Sequence, residues 1–343
     1  MTSPSAHQGY ITIAGRALRG RESIPAMSDW EIFLHGFCDT NQNGDSRQIY
    51  DCLIDLFPTP EAVLDWPVTD RVTGDPLELP EAGWNGEPGG CANFRSRVGA
   101  GGWLRTNVEP ANWRKIRSLM RCKRRDGSQI PGRQDQAKDF SNGSRLKRDG
   151  TRDEPGGLNY QLRAAIAGAG MKGADMHLLW GGCEVPVIDI QLIRYMAPHK
   201  LGMEMREYAR QKLIVLKAEG YSLELNADRP KAQRTTIAAE DIETDEIPQS
   251  NDEAAIRKAQ GATAHISAME RQEVSAIQNS QPLYGEWRDF AYEMAEKEDL
   301  KANVWHVANW MEFRQSGGDP DRKGRRSQAV IAGDAARLTD TLE

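Results

Sequence analysis

The chain has 343 residues, 39% of them hydrophobic and 27% charged, enough to bury a core in one large domain or in two smaller ones. A formal net charge of −6 supplies no general attraction for a polyanion, and no apolar run reaches the ~18 residues that a membrane-spanning helix needs. No basic end followed by an apolar segment of secretory type is seen, so a soluble, cytoplasmic protein is expected; a monomer is expected as well.

The first helical signal is SDWEIFLHGFCD. Ser28 or Asp29 caps it, and Trp30, Phe33, Leu34 and Phe37 fall on one stripe. The run 46–56 repeats that spacing, and 110–120 is the next helical stretch. Residues 121–157 then hold ten Lys or Arg against six Asp or Glu, with many Gly, Ser, Asn and Gln, and read as a basic flexible loop. Helices follow at 159–167, 172–180, 190–196 and 203–219. The stretch 226–280 is polar, with seven acidic and no basic side chains between Glu240 and Glu253. It reads as a mobile insertion or a loosely packed helical excursion. A last helix is expected at 283–297.

Strand signals are sparse, since VPVIDI is short and has no neighbouring strand to pair with. The expectation is an all-α fold. Its parts are an N-terminal helical region 1–120, the basic loop 121–157, a core 158–225, the acidic insertion 226–280, C-terminal helices 281–314 that complete the core, and a tail 315–343. Cys38, Cys52, Cys91, Cys122 and Cys183 are scattered, with no C-x-x-C pair. That spacing argues against a zinc ribbon, an iron–sulfur cluster and a disulfide framework, and predicts that most of the five are free thiols.

The chemistry concentrates in GAGMKGADMHLLWGGCEVPVID, residues 168–189. One helix ends at Gly168 and another begins near Met171, and Gly168 and Gly170 permit a connection that side chains there would obstruct. A helical hairpin of this kind offers backbone N–H groups at the start of its second helix, where hydrogen bonding and the helix dipole both favour a phosphate. It would hold a DNA backbone without reading bases.

These residues resemble the helix-hairpin-helix superfamily of DNA glycosylases, and within it the 8-oxoguanine glycosylase branch. There the hairpin reads roughly G-x-G-x-K-x-A and a catalytic aspartate follows in a V-P-V-D or I-D context. The matching residues are Gly168, Gly170, Lys172 and Ala174, then Val185, Pro186, Val187, Ile188 and Asp189. The resemblance covers about 159–196 and, more weakly, 284–313.

The resemblance implies a glycosylase with AP lyase activity that excises a damaged or modified, 8-oxoguanine-like base from double-stranded DNA. Lys172 is then the nucleophile that captures C1′ as an imine, and Asp189 the carboxylate that supports the cationic sugar. Gly168, Gly170, Gln191 and Arg194 are expected on the DNA backbone. The base must be flipped into a pocket, for which Met176, Trp305, Asn309, Trp310 and Phe313 are the expected walls; a core aromatic stripe is their alternative. His177 is expected to pack or lie on the surface. No metal and no cofactor is implied. Gln191 stands where the branch often has histidine, so the excised base stays open. Two other readings keep the hairpin: a phage-type transferase that hypermodifies DNA bases, and a non-catalytic DNA-binding protein.

Overall fold

A computed structural model describes residue 14 and residues 27–39, 50, 53–65, 103–143, 155–225, 234–247 and 253–315. The fold is all-α: helices account for most of the described chain, beside one two-stranded sheet. The chain divides into two compact units. Of the described residues, the first contains those up to Val187 and Tyr292–Gln315, the second those within Ile188–Ala291. The division thus falls inside the expected 158–225 core.

In the first unit, α1 (Asp29–Asp39) starts with a reciprocal capping box. The Glu31 N–H donates to Ser28 Oγ at 3.2 Å, and Glu31 Oε2 accepts from the Ser28 N–H at 2.7 Å. Ser28 is therefore the cap, with Asp29 inside the first turn. The expected stripe of Trp30, Phe33, Leu34 and Phe37 is buried. Trp30 and Phe33 stack on each other and meet the edge of Trp113, and Trp30 Nε1 donates to the Phe57 carbonyl at 2.7 Å. Of the 46–56 helix, Tyr50 and residues 53–56 are helical and the remainder lies outside the described residues. Short helices α2 (Pro60–Asp65) and α3 (Trp103–Val108) precede α4 (Pro110–Leu119), which turns Ile116 and Leu119 inward.

The expected basic loop is partly built structure. Residues 121–130 form a tight turn closed by a Lys123–Gln129 bridge, and α5 (Arg133–Lys138) follows. Arg121 reaches back to Asp29 and to the Met27 carbonyl. Cys122 is joined to Cys183 in a disulfide, both sulfurs being buried, which sets these two positions apart from the expected free thiols. The spacing of 61 residues carried no signal because only the fold brings the two ends together. Helices α6 (Leu158–Ala165) and α7 (Met171–Trp180) complete this region, and α12 (Ala302–Gln315) adds Val304 and Val307 to the core.

The second unit contains α8 (Ile190–Leu201), α9 (Met205–Ala218), the antiparallel pair β1 (Leu223–Leu225) and β2 (Thr235–Ile237), a 3₁₀ turn at Ala239–Asp241, and α10 (Glu253–Asn279). Helix α11 (Gln281–Lys297) contributes its first part. Described parts of the expected acidic insertion are packed rather than loose. Ala209, Leu213, Leu223, Ile242, Ile266 and Met269 form a core. Arg206 pairs with Glu246, Lys217 Nζ donates to the Ile242 carbonyl at 2.6 Å, and His265 Nδ1 accepts from the Glu243 N–H at 3.0 Å. Helix α9 thus pairs one carboxylate of the acid run, Glu246, and holds its backbone at Ile242.

Candidate functional site at the helical hairpin

The hairpin is formed by α6 and α7 with residues 166–170 between them. Its turn is closed by the Ala169 N–H donating to the Ile166 carbonyl at 3.1 Å, with Gly168 in the left-handed region at φ 78°. A residue with a Cβ is disfavoured there by about 1–2 kcal/mol. Gly170 is different. Its backbone is extended at φ −80°, ψ −175°, and a Cβ placed on it would meet no atom within 4 Å. The expected obstruction thus holds at Gly168 and not at Gly170, where the space in front of the backbone is open.

Two asparagines hold this geometry. Asn107, fully buried at the end of α3, accepts the Ala167 N–H at Oδ1 at 2.8 Å and donates from Nδ2 to the Ala167 carbonyl at 3.4 Å. Asn159 on α6 donates to the Met171 carbonyl at 2.9 Å, tying the first hairpin helix to the first residue of the second. No sequence periodicity singles out either one. Their role depends on backbone groups that only the fold presents.

The start of α7 is left open. Gly170 is its N-cap and provides no side-chain hydrogen bond, while its carbonyl accepts the Ala174 N–H at 3.0 Å. The N–H groups of the first turn therefore carry the positive end of the helix dipole without a side chain to satisfy them. Lys172 sits in that turn, half-buried, and its amine makes no hydrogen bond or ion pair with the described residues. Further along α7, His177 is buried, Nδ1 lies 2.7 Å from the Gly173 carbonyl, and the ring is packed against Gly36 of α1. A Cβ on Gly36 would approach that ring to 2.6 Å. Burial pushes the His177 pKa down from 6.5 to about 4, so the ring is a neutral packing element.

From α7 the chain runs to Asp189 through a clamped connector. Cys183 is held by the disulfide. Glu184 exchanges backbone hydrogen bonds with the Gln134 side chain, at 2.9 Å and 3.3 Å, and pairs with Lys301 at 2.6 Å. Val185, Pro186, Val187 and Ile188 are buried. In the second unit, Asp189 is the N-cap of α8: Oδ1 accepts from the Leu192 N–H at 2.8 Å. Lys172 belongs to the first unit and Asp189 to the second.

Several expected contacts are corrected. Arg194 is 7% exposed and its Nε donates to Glu270 Oε1 at 2.7 Å, so its guanidinium serves a buried ion pair and is not presented to a phosphate. Gln191 is likewise buried. Met176 lies in the hydrophobic core of the first unit. Trp305 is fully buried, its Nε1 donating to Glu298 at 3.0 Å, and the buried Asn309 donates back to the Trp305 carbonyl at 2.8 Å. For these three the core reading replaces the pocket reading, because none offers surface to a flipped base. Trp310 is half-buried, and the side chain of Phe313 lies outside the described residues. Among the described residues, no group of His, Cys, Asp or Glu is arranged to hold a metal ion, and no helix is long and apolar enough to cross a membrane. No family model, no curated protein and no solved structure matches the chain.

Proposed function

We propose that the protein is a DNA glycosylase with AP lyase activity, acting on a damaged or modified base in double-stranded DNA. The observation that carries this reading is the hairpin itself: a Gly168 turn, an uncapped α7 N-terminus faced by open space at Gly170, and an unpaired lysine in that first turn. The N–H groups would receive a phosphate. The Lys172 amine would attack C1′ as the base departs with the glycosidic electron pair; one amine proton passes to the departing base, and the C1′–O4′ bond then opens onto oxygen, which takes the second proton and leaves the imine. β-Elimination then breaks the strand on the 3′ side.

A second reading is a non-catalytic DNA-binding protein on the same hairpin. Two observations favour it: Asp189 is engaged as a helix cap, and Met176, Trp305 and Asn309 are core residues. The two readings separate on duplexes carrying 8-oxoguanine, uracil or an abasic site. The glycosylase reading expects nicked product from wild type and loss of at least about 100-fold in Lys172→Gln, as when a nucleophile is removed. Binding by both proteins with no nicking by either would leave the second reading standing.

A further inference from the structure

We infer that the outward face of α4 and the turn that follows it form a second nucleic-acid backbone surface, separate from the hairpin tip. The inference rests on the proposal that the partner is duplex DNA. Between Glu109 and Asp126 the sequence is PANWRKIRSLMRCKRR, with seven cations and no acid, in a chain whose net charge is −6. Helix α4 turns Ile116 and Leu119 into the core, which leaves Arg114, Lys115, Arg117 and Ser118 on the opposite, exposed side. Arg124 and Arg125 are exposed in the turn.

What distinguishes this face is the absence of compensation among the described residues. Arg114, Lys115, Arg117 and Arg125 make no ion pair or hydrogen bond there. Arg124 is directed to its own turn, at Ser128 and Gln129, and Arg121 is spent on Asp29. In the second unit Lys200, Arg206, Arg210, Arg234 and Arg257 are each paired with a glutamate, and the exposed Lys258 and Arg271 lie far apart on α10 and form no such cluster. Uncompensated cations on one exposed face repel one another unless a polyanion lies on them. A linear array of phosphates is the partner whose charge complements such a face.

Placement supports one continuous ligand. Helix α4 packs against α6, the first hairpin helix. The basic turn is bound to the far end of α7 by the Cys122–Cys183 disulfide and by the Cys122 N–H donating to the Gly181 carbonyl at 3.0 Å. The ten residues of α7 span about 15 Å, about four nucleotide steps along one strand. The hairpin tip and the basic turn therefore stand at the two ends of one rigid helix. These cations would position the duplex and carry no base specificity.

The test is the salt dependence of binding to an undamaged labelled duplex, read by fluorescence anisotropy. The full-length protein is compared with Arg114→Gln, Lys115→Gln, Arg117→Gln combined, and with a control, Arg257→Gln, Lys258→Gln, Arg271→Gln combined, which removes the same charge from exposed positions of α10. The α4 triple variant should bind more weakly and lower the slope of log K against log salt by up to about 3, while the control keeps the wild-type slope. Equal effects of the two triple variants, or no effect of either, overturn the inference. So does wild type that binds heparin but not duplex DNA. Because undamaged duplex requires no chemistry, a positive result stands even if Lys172 proves inert. A negative result with intact nicking removes this surface and leaves the glycosylase reading.

Discussion

At Gly168 and Gly170 two glycines two residues apart do different work. Gly168 is needed for its positive φ, so Gly168→Ala should lower folding stability by about 1–2 kcal/mol, measured by urea denaturation. Gly170→Ala meets no atom and should leave stability within about 0.5 kcal/mol. If phosphate occupies the open space, the same Gly170→Ala variant should weaken duplex binding. Unchanged binding in a stable Gly170→Ala protein would contradict a phosphate seated there. His177 offers a second residue-level check. Its folded pKa of about 4 lies below the ordinary 6.5. Its contribution is therefore full above pH 6.5 and is lost as the pH falls towards 4, because the unfolded chain then takes up a proton that the folded chain refuses. Between about pH 7 and about pH 5 this removes about 2 kcal/mol. His177→Phe should flatten that part of the stability profile, and an unchanged profile would show that other groups set it.

At the scale of elements, Asp189 has a structural duty that can be separated from chemistry. Asn caps a helix about as well as Asp, whereas Ala costs about 1 kcal/mol. Asp189→Asn should therefore fold like wild type and Asp189→Ala less stably. On the glycosylase reading both lose nicking, and full activity in Asp189→Asn would remove the carboxylate from the mechanism.

Helix α1 was legible because its capping box and its aromatic stripe are local patterns. The helices of the hairpin were legible within a few residues for the same reason, with α6 stopping at Ala165 so that residues 166–170 can form the turn. Helix α10 was legible only as one of two alternatives, a loosely packed helical excursion beside a mobile insertion. Its inward face includes Ala259, Ala262 and Ala268 with the polar His265 and Glu270, so apolar periodicity is weak although the helix is packed from Ala259 onward. The buried partner of Glu270 is Arg194, 76 residues away, and no local pattern announces such a pair.

Over the whole molecule, an all-α fold followed from helical periodicity and the scarcity of strand signals, while the division into two units did not. The division depends on long-range packing: α9 holding the acidic run, and the disulfide closing a loop with a separation of 61 residues. A cross-link over that span stabilises by about 4 kcal/mol on the chain-entropy account. It fastens the basic turn to the end of α7, which the reading of 121–157 as a flexible loop had hidden. The hairpin lysine was legible because glycine spacing is local. The surroundings that decide its chemistry were not, since Met176, Trp305 and Asn309 share their residue types with pocket walls and core alike.

On the glycosylase reading Lys172 forms a covalent bond with C1′ of a DNA sugar. Wild-type protein incubated with a duplex carrying 8-oxoguanine, uracil or an abasic site, then reduced with borohydride, should yield a stable adduct. Proteolysis and tandem mass spectrometry should place that adduct on Lys172. No adduct with any of the three duplexes, or an adduct on another lysine while Lys172→Gln still traps, would contradict the claim.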